Sequence, residues 1–235
     1  MTVEPARRGV PDASVARLPA YRRALSHCAE RGATYVSSQE LAEATGVHPA
    51  QLRKDLSYLG SYGLRGVGYD VAQLHDQIGA ELGLLGDWPV AIVGMGHLGR
   101  ALVAYRGFSN AGFRIVALVD DDPEVVGETV GGLRVQSLDE LVASAITLDF
   151  GVIATPAAGA DGVAEALVGL GVHSILNFAA THLHVPKGVG VRTVDLSTEL
   201  EILAFHAQRR PSTAAAAGEG EPTTAPAPAA AETAR

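Results

Sequence analysis

Three glycines with the spacing GxGxxG, Gly94, Gly96 and Gly99, stand in the run Val90-Ala91-Ile92-Val93-Gly94-Met95-Gly96-His97-Leu98-Gly99. A turn of this kind works through its backbone. Gly94 makes the tight bend, Gly96 lets the chain approach a pyrophosphate, and Gly99 lets the next helix pack against the strand with its N-terminus toward the phosphates. Met95, His97 and Leu98 complete the cradle. The context fits, because residues 89–93 read as a strand and 98–107 as a helix. A second strand over 115–119 ends on Asp120, 21 positions beyond Gly99. A carboxylate there accepts hydrogen bonds from ribose hydroxyls and repels a 2′-phosphate, which favours NADH and NAD+ over their phosphorylated forms. Asp121 and Asp122 compete for that role; Asp120 fits the spacing and the strand end best. Thr155 and Pro156, then Asn177, Phe178 and Ala179, fall at the carboxyl ends of later strands, where they border the nicotinamide.

A second set of residues has the chemistry of nucleic-acid recognition. Pro49 opens a helix running to about Leu59, on which Leu52, Leu56 and Leu59 share an arc of about 60°. Ala50, Arg53, Lys54 and Ser57 occupy the opposite side, with Gln51 and Tyr58 on the flank. One face packs and the other reads bases and phosphates. Asp55 lies nearer the buried arc and is expected to pair with a structural arginine. The glycine-rich run 60–69 reads as a β-hairpin wing, in which Tyr62 and Arg65 add groove or phosphate contacts.

These groups need two scaffolds. Ahead of the reading helix, Pro19 opens a helix with Tyr21, Ala24, Leu25, Cys28 and Ala29 at i, i+3, i+4 spacing, closed by Gly32. Ser37 and Glu40 form a capping box for a short helix around Leu41, and a further helix carries Val71, Leu74, Ile78 and Leu82 inward. From Pro89 the pattern changes to strands at 89–94, 113–120, 149–155, 173–179 and 190–195 alternating with helices. That is the signature of a parallel sheet covered on both faces. The expected organisation is a flexible N-terminus (1–18), a helical reader with a wing (19–85), a dinucleotide-binding domain (86–195), a C-terminal helix (196–210) and a disordered tail (211–235) rich in Ala, Pro and Thr.

Composition narrows the function classes. The chain of 235 residues carries a net charge of −8, yet Lys and Arg balance Asp and Glu at nine each over residues 1–85, so the acidity lies in the remainder. No apolar run reaches the roughly 18 residues that span a bilayer, and no apolar stretch follows Arg7 and Arg8 as in a signal peptide. A cytoplasmic protein with no membrane partner is expected. The single cysteine, Cys28, reads as a buried, inert thiol. His182 and His184 lack a third ligand, so no metal is expected. An NAD-dependent oxidoreductase with an accessory N-terminal helical module is the rival reading. It needs a proton-transfer group, for which His173, His182 and His184 are at hand, and a substrate domain, for which little chain remains. The expectation is therefore a sensor and not an enzyme.

Taken together, Gln51-Leu52-Arg53-Lys54-Asp55-Leu56-Ser57-Tyr58, Ser61-Tyr62-Gly63-Leu64-Arg65-Gly66-Val67-Gly68-Tyr69 and Val93-Gly94-Met95-Gly96-His97-Leu98-Gly99 resemble the Rex family of bacterial redox-sensing transcriptional repressors over about residues 15–208. The resemblance implies an α/β protein: an N-terminal winged-helix DNA-binding domain, a Rossmann NAD(H)-binding domain and a C-terminal domain-swapped helix. It further implies a homodimer that binds palindromic operator DNA and leaves it when NADH accumulates. Its switch would comprise Arg23, or Arg22 if the register differs by one, with Tyr105 and Asp195. Leu196 stands where some members have a phenylalanine after that aspartate. In the C-terminal helix, Leu200, Ile202, Leu203, Ala204, Phe205 and Ala207 spread apolar surface over more than one face, as a helix packing across a dimer requires.

Overall fold

The computed structural model describes residues 9–61 and 63–209. The helical reader contains α1 (Asp12–Val15), α2 (Leu18–Glu30), β1 (Tyr35–Val36), α3 (Ser38–Thr45), α4 (Pro49–Tyr58), β2 (Tyr69–Asp70) and α5 (Val71–Glu81). Helices α3, α4 and α5 each start at a side-chain cap. In the Ser37/Glu40 capping box the Glu40 N–H donates to Ser37 Oγ at 3.1 Å and the Ser37 N–H to Glu40 Oε2 at 2.8 Å. His48 Nδ1 accepts from the Ala50 N–H ahead of Pro49 in α4, and Asp70 accepts from Gln73 at the start of α5. Leu18, Tyr21, Leu25, Leu41, Leu52, Leu56 and Ile78 are fully buried in one core, which also encloses the Cys28 thiol.

Two expectations need correction here. Of the stretch expected to be a flexible N-terminus (1–18), residues 1–8 lie outside the described residues, but α1 and the start of α2 are ordered. Leu18 is in the core, and Ser14 and Arg17 are hydrogen-bonded to Asp55. The wing is also shorter than a hairpin over 60–69. Leu64 and Gly68 exchange two hydrogen bonds around a tight loop with Gly66 at φ 77°, while β2 pairs antiparallel with β1. Glycines at 60, 63, 66 and 68 deny a longer ladder its side-chain pairs. Gly68 has φ 109°, and a Cβ on it would strike the Val36 carbonyl, so the backbone closes against β1 at that point.

The second domain contains β3 (Trp88–Val93), α6 (His97–Val103), α7 (Arg106–Asn110), β4 (Phe113–Val119), β5 (Thr129–Val130), β6 (Leu133–Gln136), α8 (Leu138–Ala143), β7 (Phe150–Ile153), α9 (Ala157–Gly169), β8 (Ser174–Asn177) and β9 (Gly190–Thr193). The sheet order is β5-β6-β4-β3-β7-β8-β9. The expected wholly parallel sheet is in fact mixed, because β5 runs antiparallel to β6 across a Gly131-Gly132 turn. The expected helix over 98–107 is two helices that break at Tyr105. From β3 the chain moves outward through β4 and β6, then returns to β7 on the other side of β3. The carboxyl end of β3 is therefore the topological switch point, where such sheets leave a crevice for ligands.

One sheet face packs against α8 and α9 around Leu141, Ile153, Ala160, Ala164 and Leu167. On the other face, Phe108, Phe113, Phe150, Val152, Leu176 and Val191 line an apolar cavity of about 400 Å³. The described chain divides into two compact units at Thr193/Val194. The second contains α10 (Leu196–Gln208), capped by Asp195, with Leu196, Leu200, Ile202, Leu203 and Phe205 all exposed. No described helix is long and apolar enough to cross a membrane.

Candidate cofactor and nucleic-acid sites

At the switch point the chain shows why two of its three glycines are required. Gly94 has φ 98°, and a Cβ on it would lie 2.7 Å from the Ala154 carbonyl carbon and 2.8 Å from the Thr155 nitrogen. A Cβ on Gly99 would collide with the Gly94 carbonyl oxygen. Both glycines allow strand, turn and helix to approach closely. Gly96 differs, for its φ is −66° and a Cβ on it meets nothing within 4 Å. No neighbour in the chain demands glycine there, so the open space beside it is what the residue type preserves. The Thr155 hydroxyl borders the same turn and is buried without a hydrogen-bond partner among the described residues. An orphaned hydroxyl beside an open glycine cradle fits a bound polar group such as a pyrophosphate.

Asp120 follows β4 and faces the turn, where its carboxylate accepts from the Met95 N–H at 2.5 Å and from the Asp122 N–H at 2.9 Å. The structure thus brings Gly94, Gly96, Gly99, Asp120, Thr155 and Pro156 together, with exposed His97 and Leu98 at the rim. Phe178 joins them through the hydrogen bond from its N–H to the Ile153 carbonyl. Three side chains expected to face the cofactor point inward instead. Met95 is 1% exposed and fills the core, Ala179 is buried, and Asn177, 0% exposed, donates to the Thr181 carbonyl while accepting from the Ala179 N–H. Asn177 therefore clamps the loop after β8, in which Ala180 adopts φ 48°. These three residues present only backbone to a ligand.

The outward face of α4 carries Arg53, Lys54, Ser57 and Tyr58, all exposed, and Arg65 is exposed on the wing loop. Among the described residues the Arg53 guanidinium reaches only the Ser38 hydroxyl, at 3.1 Å. Tyr62 lies outside the described residues. Gln51, half-buried on the flank, turns its amide inward and donates to Asp55 Oδ1 at 2.8 Å. Asp55 is 0% exposed and collects donors from three helices and the α1–α2 junction: Ser14 Oγ, Arg17 Nε and Nη2, Tyr21 Oη and Gln51 Nε2, all at 2.7–2.8 Å. Burial alone would raise the Asp55 pKa, but the bonds from Arg17, Tyr21, Ser14 and Gln51 outweigh it and hold the carboxyl well below the usual range. Burial, with the bond to Asp55, pushes the Tyr21 phenol up to about 12. The structural arginine expected for Asp55 is Arg17, whose place in the stretch expected to be flexible gave no sign of it.

Of the switch positions, Arg23 is exposed on α2 and Tyr105, 60% exposed, sits at the break between α6 and α7. Neither side chain hydrogen-bonds to a described residue. Arg22 is half-buried, with Nε against α5 at Gly79 and without a hydrogen-bond partner among the described residues. Asp195 caps α10 by accepting from the Ser197 N–H and hydroxyl and from the Thr198 hydroxyl. His184 pairs with Asp161 at 3.0 Å, and no cluster of three metal-ligating side chains occurs among the described residues.

Residues 9–57 match the family described as "Putative DNA-binding protein N-terminus" and residues 86–181 the "CoA binding domain" family. The "Redox-sensing transcriptional repressor Rex" of Streptomyces coelicolor is 57% identical over 220 residues, covering 93% of this chain and 85% of the relative. The chain belongs to the Rex family. The Rex protein of Desulfitobacterium hafniense is 45% identical, covering 86% and 97% of the two chains. Among solved structures, RSP "in complex with beta-NAD+ and operator DNA" superposes with a TM-score of 0.79 at 31% identity, covering 85% of this chain and 93% of RSP. RSP in complex with beta-NADH gives 0.76 at 29% identity, covering 88% and 96%. An N-terminal DNA-binding domain followed by a Rossmann-like domain is thus the architecture of this Rex-family member, and its named relatives are repressors and not enzymes.

Proposed function

We propose that this chain is a cytoplasmic, NADH-responsive repressor. NADH or NAD+ occupies the crevice at the ends of β3, β4 and β7, and operator DNA is held by the outward face of α4 and the wing. The observation that carries this reading is the open cradle at Gly96, beside a carboxylate placed for ribose hydroxyls, in the same chain as an exposed Arg-Lys helix face. The two RSP complexes support the pairing of DNA with the oxidised cofactor. The oxidised ring carries a positive charge that the apolar ring of Phe178 disfavours, so NADH is the releasing ligand. No reaction is assigned, and the cofactor acts as a ligand.

The functional unit is a homodimer on a palindromic operator. Two apolar surfaces support this: the exposed leucine, isoleucine and phenylalanine side chains of α10, and the sheet cavity lined by Phe113, Phe150, Val152 and Leu176. Exchange of α10 between subunits covers such surfaces. Arg23, Tyr105 and Asp195 form the switch, with Asp195 exchanging hydrogen bonds between the two cofactor states.

Arg53→Ala with Lys54→Ala is expected to weaken operator binding by about 1–3 kcal/mol for a lost base contact, and to lower the salt slope by about one for a lost phosphate contact. NADH binding stays unchanged. Normal operator binding by the double variant removes α4 as the reader. Asp120→Ala is expected to narrow the preference for NADH over NADPH, because the repulsion of a 2′-phosphate disappears. NADH affinity also falls, since the Met95 N–H loses its acceptor. Calorimetry with both cofactors checks this, and equal affinities in the unmodified protein contradict it.

A further inference from the structure

We infer that Arg100, held by Glu128, is a positioning residue that fixes the peptide plane of the cofactor turn, and through it the donor aimed at the pyrophosphate. The inference rests on the reading of that turn as the cofactor cradle. Met95 is the one residue between Gly94 and Gly96, and it is anchored at three points. Its side chain is packed with Val90, Ile92, Leu118 and Val152. Its N–H donates to Asp120, and its carbonyl accepts from Arg100 Nε at 2.8 Å. The other end of that guanidinium, Nη2, donates to Glu128 Oε2 at 2.6 Å. Glu128 is in turn tied to the sheet edge, because its carbonyl accepts from the Val135 N–H at 2.8 Å and its N–H donates to the Val125 carbonyl.

In a trans peptide the carbonyl and the following N–H point in opposite directions. Holding the Met95 carbonyl against Arg100 therefore turns the Gly96 N–H away from it. That N–H has no acceptor among the described residues. Gly94 and Gly96 give the turn little conformational resistance of their own, and a rotated Met95–Gly96 peptide would present an oxygen, instead of a donor, to a phosphate. Arg100 and Glu128 supply from outside the turn the order that its glycines lack, so the cofactor does not bear that ordering cost on binding. Because Glu128 neutralises Arg100, the pair acts through geometry and not as a free positive charge.

Arg100→Ala and Glu128→Gln in the full chain separate this role from its alternatives. For Arg100→Ala, calorimetry is expected to show the Kd for NADH, NAD+ and ADP-ribose raised by a common factor of about five to ten, the loss of a charge-assisted hydrogen bond at a half-exposed site. Adenosine, which lacks phosphate, is unaffected, the Gly96 amide exchanges faster, and the melting temperature falls by no more than about 2–4 °C. Glu128→Gln keeps a polar partner and gives a smaller loss. Arg100→Ala binding NADH like the unmodified protein, or weakening adenosine as much as ADP-ribose, overturns the inference. So does tighter NADH binding by Glu128→Gln, which would make Arg100 a phosphate counter-charge. Failure of the unmodified protein to bind NADH contradicts the cofactor reading itself.

Discussion

Gly99→Ala is expected to yield a repressor that binds operator normally and no longer answers to NADH. The added Cβ falls on the Gly94 carbonyl oxygen and within 3.1 Å of Met95 Cε. The first of these is backbone in the tightest bend of the turn and has no rotamer into which it can withdraw. Helix α6 must then back away from β3, which opens the cradle at Gly96 and moves the helix N-terminus from the phosphates. Overpacking of this kind costs about 1–3 kcal/mol, and its upper end corresponds to about a 100-fold rise in Kd. Helix α4 packs in a different core through Leu52 and Leu56, so the face proposed to read operator is untouched. Fluorescence titration with NADH beside a mobility shift on operator DNA checks both halves. A variant that binds NADH within a few-fold of the unmodified protein contradicts the account of this turn.

Asp55→Ala is expected to do the reverse, abolishing operator binding while the Rossmann domain still takes NADH. Removing the carboxylate leaves the Ser14, Tyr21 and Gln51 donors and the Arg17 guanidinium without their shared acceptor. Breaking a buried pair in this way costs about 3–5 kcal/mol. Arg17 is 30% exposed on its side chain and rehydrates in part, so the lower end applies. The folded-state pKa of Asp55 is depressed, so its stabilisation is present above the unfolded value of about 4 and is lost as pH falls below it. Tyr21 shifts the other way. With its pKa raised to about 12, its contribution is complete below the unfolded value of about 10 and is lost as pH rises from there through 12. Denaturant melts of the unmodified protein and of Asp55→Ala across pH check the sign at both ends. An Asp55→Ala variant as stable as the parent, and still binding operator, removes the network from its role as the anchor of α4.

Asp55 and Arg17 also show how far the sequence could be read. The leucine arc of α4 placed Asp55 on the buried side, so a cationic partner was foreseeable. Arg17 was not, because it precedes the first strong helix signal at Pro19 and its importance comes from a contact 38 residues away. Gln51 stands on the flank of the helix wheel, a position compatible with facing DNA or Asp55, and in the structure its amide donates to Asp55. The hairpin β5–β6 was legible in principle. Val130-Gly131-Gly132-Leu133 is a two-residue turn signal between strand residues, but the strands are too short to show a period. The glycine turn and the strands β3, β4, β7, β8 and β9 were legible because their signals are local, whereas the parallel strand β6 and the order of strands in the sheet were not. The inward turn of Asn177 depended on the loop after β8, which has no such signal.

On the proposed function, one chain exchanges operator DNA for NADH. Moving the DNA-bound fraction from 99:1 to 1:99 requires a differential affinity of about 10⁴, which the proposed dimer would share as about 10² at each of two equivalent sites. The direct measurement is a mobility shift with a fixed operator complex titrated in parallel with NADH and NAD+ at constant salt. NADH is expected to empty the shifted band while NAD+, bound to the same crevice, leaves it in place. Displacement by both cofactors at equal concentration, or by neither, would contradict it.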